Sequence, residues 1–515
     1  MPTSMHSMTS TPSRRSSLAV RDDRDGRDLP VPRDAAPLSR LGPRPGPVTR
    51  VAAAALLIAL MSGCAVTRVD PPAPVAAPAQ FKEDGLWKKA QPGTAEVVPE
   101  QWWTLFDDPV LNDLQHKLVI GNENLKAAVA QVAGARAALE ASRSALFPTL
   151  SAGLSGSRSA SPDGNVTNGA INRGPTNSVQ ASLNASWEAD LWGKLRLASE
   201  GATSTLQATA DDLAAARLSA QATLAQSYFS LRTAEAQEAL YERSVKSYER
   251  FLDMTQARYQ SGVAARSDVL QAQTQLRTAQ AQLLETRTTR GQLEHAIAVL
   301  LGLPPSALEV SRSATLPRPP EVPTLLPSQL LERRPDIAAA QRRVATAYSQ
   351  IGVADAAYFP SLTLSASGGY RNSSLSNLLT APNLFWSLGP SLAQAIFDGG
   401  QRKLASAQAR TSAEVATSTY RQTVLTALQE VEDNLILADH LREEAKLQQE
   451  AVESAQRNLE LVTDQYRAGT VSFLEVTTAQ NSAFTAEASL LSVRNRQLAA
   501  INLLLKNIAG RWSAA

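Results

Sequence analysis

Two stretches of this chain contain neither glycine nor proline: the 60 residues between Gly201 and Gly262, and the 68 between Gly400 and Gly469. As a helix, a 60-residue stretch would be roughly 90 Å long at 1.5 Å per residue, far beyond the usual globular length. Such rods need lateral partners along their whole length.

The residue pattern supplies those partners. Tyr241, Val245, Tyr248, Leu252, Thr255 and Tyr259 follow spacings of 4, 3, 4, 3 and 4, the a/d seam of a coiled coil. Val452, Ala455, Leu459, Val462 and Tyr466 repeat the last five seam positions 207 residues later, in register. "QARYQSGVAARSDVLQAQTQL" from Gln256 and "TDQYRAGTVSFLEVTTAQNSA" from Thr463 are the ends of the two copies. Upstream, Phe147-Pro148-Thr149-Leu150 returns as Phe359-Pro360-Ser361-Leu362 at an offset of 212. Each half therefore reads helix, strand pair, long helix, turn, helix.

Strict alternation marks the strands. Val179, Ala181, Leu183, Ala185, Trp187, Ala189 and Leu191 alternate with Gln180, Ser182, Asn184, Ser186, Glu188 and Asp190, giving one apolar and one wet face. Similar writing begins at Thr149, Ser361 and Leu384. Apolar-out, polar-in strands of this length suit a transmembrane barrel, with Trp187, Trp192, Trp386 and Phe397 as interface aromatics. A soluble sandwich edge is the alternative. Four strands cannot close a barrel, since the smallest have about eight, so several chains must share one.

The expected boundaries follow. Residues 1–63 are a leader and lipoprotein signal peptide, and 64–80 a Pro/Ala linker. The first repeat covers 81–301, with strands near 149–160 and 178–191, a long helix over 199–260 and a helix over 266–301. A Pro-rich inter-repeat segment spans 302–335. The second repeat covers 336–510, with strands near 361–371 and 384–397, a long helix over 402–468 and a helix over 472–508. The turns at Gly262, Val263, Ser267 and Asp268, and at Gly469, Thr470 and Ser472, become helical tips, because glycine adopts the left-handed geometry that ends a helix.

Composition agrees with long thin helices rather than one thick core: aromatics are only 5% of 515 residues. The net charge of +2 belongs to the leader, whose removal leaves 41 basic and 43 acidic residues. Nucleic-acid binding thereby loses its main support. The single cysteine, Cys64, excludes an intramolecular disulfide. The apolar run Val51–Met61 after Arg50 is too short to span comfortably and reads as a cleaved signal. With Ser62 and Gly63 before Cys64, the segment resembles a bacterial lipobox, making Cys64 the lipid-bearing N-terminus of the mature chain. By the same resemblance, Ala65 favours sorting to the outer membrane. Residues 1–49 do not look like part of a signal, which points to a translation start later than Met1, such as Val48.

Catalytic and metal motifs are missing from the sequence. His6, His116, His295 and His440 lie far apart, and Gly193-Lys194 lacks the glycine a phosphate loop needs five residues earlier, where Glu188 stands. No enzyme and no cofactor is expected beyond the lipid on Cys64. Glu430, Glu432 and Asp433 read as a solvated helix face.

Together these landmarks resemble the outer membrane factor family, the TolC-type channels, and within it the NodT-like lipoprotein branch. The resemblance covers nearly all of residues 64–510. It rests on "WWTLFDDPVLNDL" from Trp102, "NENLKAAVAQVAGARA" from Asn122, "LLERRPDIAAAQRRV" from Leu330, "FPSLTLSASGGY" from Phe359 and "IFDGGQRK" from Ile396. It implies an α+β membrane protein: a homotrimer sharing a twelve-stranded outer-membrane barrel continuous with a long periplasmic helical barrel. Its implied role is passive export of drugs or other small toxic compounds, delivered by an inner-membrane pump of the proton-driven RND type through a periplasmic membrane-fusion adaptor. By resemblance, Tyr466 matches a tyrosine holding the inner coil closed, and Glu475 an acidic ring position. Val471 and Thr478 depart from the family at a salt-bridging arginine and a second acidic position, so Thr478 is a gate candidate without the charge. Rival readings are a protein-secretion exit duct and a poreless periplasmic coiled-coil adaptor.

Overall fold

A computed structural model of the chain describes residues 69–73, 82, 101–160, 165–167, 170–172, 174–320 and 334–509. Cys64, the leader and most of the 64–80 linker lie outside the described residues. After a 3-10 turn at Trp102–Phe106, the order is α1 (Pro109–Gly121), α2 (Glu123–Ser144), β1 (Thr149–Ser159), β2 (Asn165–Thr167), β3 (Ala170–Asn172) and β4 (Thr176–Ala189). Then follow α3 (Lys194–Gln260), α4 (Arg266–Leu300), α5 (Pro335–Ala356), β5 (Ser361–Asn372), β6 (Leu384–Ala393), α6 (Gln401–Arg467) and α7 (Phe473–Ile508). The short pair β2–β3 sits within the first inter-strand loop, where no strand was expected.

α3 and α6 each run unbroken for 67 residues, about 100 Å at 1.5 Å per residue. Alanine, glutamine and leucine, all good helix formers, dominate them. α3 starts five residues before the expected 199 and α6 within one residue of the expected 402, and both open in the same way. Gly193 (φ 81°) and Gly400 (φ 91°) hold the left-handed conformation just before each helix. Asp190 then accepts the Leu195 and Arg196 amides, while Asp398 accepts those of Gly400 and Arg402. A carboxylate on the first-turn amides satisfies otherwise orphan donors. Each aspartate also pairs with the arginine that follows, Arg196 or Arg402.

Lateral partners change along the rods. Near its start α3 packs on α5: a Cβ on Gly201 would lie 3.4 Å from Ser349 Cβ, and Arg343 pairs with Asp212. Farther on it packs on α4 and α7. The rings of Tyr241 and Phe484 stand 4.9 Å apart, and Tyr248 Oη donates to Asn481 Oδ1 at 3.0 Å. Arg243 pairs with Glu487 at 2.9 Å.

The largest apolar cluster lies at mid-length, where Trp102, Phe106, Leu111 and Leu118 pack against Tyr228, Phe229, Leu435, Leu441, Leu498 and Leu504. Each such side chain contributes about 1.5–3 kcal/mol on burial. A polar chain ties the inter-repeat segment to this belt. Tyr228 Oη donates to Asp108 at 2.6 Å and receives Arg232 Nε at 2.9 Å. Arg232 pairs with Glu235 at 2.7 Å and donates to the Ser311 carbonyl, while Arg290 bridges Glu235, Glu294 and the Val310 carbonyl. Burial, reinforced by the Asp108 hydrogen bond, pushes the Tyr228 hydroxyl well up, so it remains a donor.

The expectation of a fully solvated acidic face at Glu430–Asp433 is corrected here. Glu430 is half-buried against Arg334 at 2.9 Å, and Glu432 accepts the Lys82 amide at 2.7 Å. Asp433 alone is exposed.

Candidate channel wall and helical tips

The four long strands form one antiparallel sheet in the order β1-β4-β5-β6. Its register sorts residues by face without exception over the apolar stripe. Leu150, Ala152 and Leu154 lie opposite Ala185, Leu183 and Ala181. Trp187, Ala185, Leu183 and Ala181 lie opposite Leu364, Ala366, Gly368 and Tyr370, which in turn face Pro390, Leu388, Trp386 and Leu384. The other face carries Ser151, Ser155, Gln180, Ser182, Asn184, Ser186, Thr363, Ser365, Ser367, Ser387 and Ser391.

This apolar face is uncovered: Trp386 is 77% and Leu388 75% exposed. From Val179 to Ala189 it runs ten steps, about 34 Å along the strand and about 26 Å vertically at a tilt near 40°, which matches an apolar membrane band about 25 Å tall. At the end remote from the helices it stops at Arg158, Asn177 and Asn372. Among the described residues β1 and β6 have no further strand partner, leaving two open edges that must be paired or protected.

The four aromatics chosen from sequence separate into two kinds. Trp386 and Phe397 are exposed, the latter at 90%. Trp187 and Trp192 are half-buried: Trp187 Nε1 donates to the Leu146 carbonyl at 2.9 Å, and Trp192 Nε1 to the Pro360 carbonyl at 2.6 Å while stacking on Phe359. They fasten the strand ends to the two Phe-Pro corners, Phe147-Pro148 and Phe359-Pro360. β6 ends at Ala393, short of the expected 397, so Phe397 lies in the connection to α6. Tyr370, in the same cross-strand row as Leu384, is an apolar-face aromatic that sequence reading passed over.

At the far end of the long helices are the tips. Gly262 (φ 78°) and Gly469 (φ 80°) turn the chain. The Val263 amide reaches back to the Arg258 carbonyl, and the Thr470 amide to that of Gln465. Asp268 accepts the Ala265 amide at 3.4 Å, and Glu475 accepts the amide and hydroxyl of Ser472 at 3.3 and 3.2 Å. Val263, Ser267, Thr470 and Ser472 cover these turns, Val263 being exposed. Glu475 thus has a capping role in addition to its exposed position, which the family resemblance did not suggest.

The paired tyrosines differ in setting. Tyr259 is 46% exposed, whereas Tyr466 is 4% exposed and packs with Phe251, Ala272, Phe473 and Val476, with Val471 alongside. Arg258 Nη1 donates to the Tyr466 carbonyl at 2.8 Å, joining the two tips. Thr478 is exposed on α7 and donates to the Leu474 carbonyl at 2.9 Å. Among the described residues no helix is long and apolar enough to cross a membrane, and no cluster of three His, Cys, Asp or Glu could hold a metal.

A two-faced, edge-open sheet joined to coiled coils about 100 Å long defines an α+β outer-membrane channel protein. A family model described as outer membrane efflux protein matches residues 114–303 and 326–510. The toluene efflux pump outer membrane protein TtgC of Pseudomonas putida is 30% identical over 457 residues, covering 88% of this chain and 94% of that protein. The pyoverdine export outer membrane protein OpmQ of Pseudomonas aeruginosa is 30% identical over 468 residues, covering 88% and 95%. Of solved structures, the outer-membrane channel OprN aligns with a TM-score of 0.80 at 28% identity, over 87% of this chain and 99% of that one. The open-state MtrE outer membrane channel of Neisseria gonorrhoeae aligns at 0.75 and 27% identity, over 86% and 98%. The chain belongs to the outer membrane efflux protein family. It is an outer-membrane channel component of an efflux system, and the coiled-coil adaptor and protein-secretion readings give way to that one.

Proposed function

We propose that three copies of this chain pair β1 of one with β6 of the next to close a twelve-stranded barrel, continuous with a helical duct built from α3, α4, α6 and α7. The trimer conducts small molecules passively from a periplasmic adaptor and an inner-membrane pump of the RND type to the exterior. The observation that carries this reading is the sheet with a continuous apolar stripe on one face and, among the described residues, two open edges. The names of the relatives, which include a toluene pump and a pyoverdine exporter, favour small molecules as substrates. In this reading Cys64 carries the lipid that holds the mature N-terminus in the outer membrane, and the exposed turns at Gly262 and Gly469 are the adaptor's docking rim. Tyr466, Glu475 and Thr478 belong to the periplasmic gate.

Paired cysteines introduced along β1 and β6 test the assembly. Oxidation is expected to give covalently closed trimers at one register of pairs. A ladder ending at monomer at every register contradicts the shared barrel.

A further inference from the structure

The polar face of the sheet is almost free of charge. Serine, threonine, asparagine, glutamine and glycine make up most of it, with Phe385 the one aromatic among the described strand residues, where only Glu188 and Arg371 bring charge to it. Glu188 stands at the helix end, neutralised by Lys194 at 2.9 Å. Arg371 stands near the opposite end, one residue before the close of β5. Among the described residues it makes no ion pair. Its Nε and Nη2 donate to Gln180 Oε1 at 3.0 and 2.7 Å, and its guanidinium carbon lies 5.2 Å from the centroid of the Phe385 ring. The side chain is therefore spread across β4, β5 and β6 by two neutral partners. A guanidinium stays charged at all working pH values, and both partners hold it without cancelling that charge.

We infer that Arg371 forms a ring of positive charge at the outward mouth of the channel, drawing anionic solutes and repelling cations there. The inference rests on the trimeric barrel proposed above, in which the polar face lines the lumen. Twelve strands about 4.8 Å apart and tilted about 40° enclose a duct about 24 Å across, backbone to backbone. A guanidinium lying along the wall is then about 10 Å from the axis, close to the screening length of about 10 Å at 0.1 M salt. Three such charges, screened over that distance in water, change the concentration of a monovalent ion on the axis by about twofold in each direction. Their effect on the cation-to-anion ratio is about four- to fivefold. At 1 M salt the screening length falls to about 3 Å and the effect vanishes.

The test is the K+/Cl− permeability ratio of the full-length protein in a planar bilayer. Arg371→Gln is expected to raise the ratio about four- to fivefold at 0.1 M KCl and to leave it unchanged at 1 M. Arg371→Lys, which keeps the charge, should retain the wild-type ratio. Gln180→Glu places a carboxylate on the guanidinium and should reproduce the Gln variant's shift with Arg371 intact, which covers failure of either variant to assemble. Arg158→Gln, on the opposite face of the sheet from Arg371, should change nothing. Conducting channels in which neither Arg371→Gln nor Gln180→Glu moves the ratio overturn the ring. A wild-type protein that conducts no ions overturns the proposed channel itself.

Discussion

Arg258 and Tyr466 join two hairpins whose residues are 208 positions apart: the Arg258 guanidinium donates to the Tyr466 carbonyl at 2.8 Å and lies 4.6 Å from the centre of its ring. A cation at the last turn of α6 also opposes the negative end of that helix. Losing a charged hydrogen bond and a cation–π contact costs about 1.5–3 kcal/mol. If the second tip is the gate, Arg258→Ala should raise the open-to-closed ratio of single channels tenfold or more, about 1.4 kcal/mol per decade. Unchanged open probability would separate this contact from gating.

Glu475 combines a cap with an exposed charge. Glu475→Ala removes both and should destabilise the tip by about 0.5–2 kcal/mol. Glu475→Gln keeps an acceptor for Ser472 and removes only the charge. Both variants should lower cation selectivity, read as a reversal potential in a salt gradient, but only the alanine variant should speed proteolysis at the tip. Unaltered reversal potentials in both would exclude an acidic ring at this position.

The two faces of β6 make opposite demands on substitution. Leu388→Arg places a cation on the exposed apolar face, at a cost of about 2–4 kcal/mol at the bilayer midplane. Ser387→Arg, one residue away, points to the polar face. Heat-resistant oligomer recovered from outer membranes should fall sharply for the first variant and persist for the second. The reverse order would invert the assignment of the faces.

The buried pair Arg232–Glu235 is 3% and 4% exposed at its side chains. Removing Glu235 takes the carboxylate away from the buried Arg232, which keeps the Tyr228 hydroxyl and the Ser311 carbonyl, and breaking a buried pair in this way typically costs about 3–5 kcal/mol. Glu235→Ala should therefore lower the thermal midpoint more than Glu443→Ala, whose carboxylate is exposed. Equal midpoints would mean that solvent reaches the Arg232 site.

Asp211 carries a pH signature. Burial pushes its carboxyl up to about 6 against the pull of Arg342, with Asp212 adding to the rise, and its Oδ2 has no partner among the described residues. The unfolded value is about 3.9, so the group's stabilisation is complete below about pH 4 and lost as pH rises through about 6. Asp211→Asn should gain about 1 kcal/mol at pH 7.5, after discounting for solvent screening, and almost nothing at pH 4. Equal changes in midpoint at both pH values would contradict that titration.

Local patterns carried much of this architecture. Long glycine-free stretches, repeated a/d seams and strict alternation are properties of neighbouring residues, so the rods, the tips at Gly262 and Gly469 and the strand faces were legible. Features that depend on distant partners were not. Arg258 resembles any surface arginine until Tyr466 is folded against it. Arg371 is informative only once its face is known. The helix starts at Lys194, five residues before the expected 199, and at Gln401 depend on Asp190 and Asp398 reaching across a left-handed glycine, a capping signal present in "EADLWGKLR" and "FDGGQR". The Arg232 network likewise joins α3, α4 and the inter-repeat segment, which no local pattern connects.

Ion conduction by the detergent-purified, full-length protein in a planar bilayer decides whether this chain builds a channel. A trimer in solution and discrete, water-filled channels that respond to Arg258→Ala at the tips are the expected result. A folded monomer that inserts without conducting would contradict it.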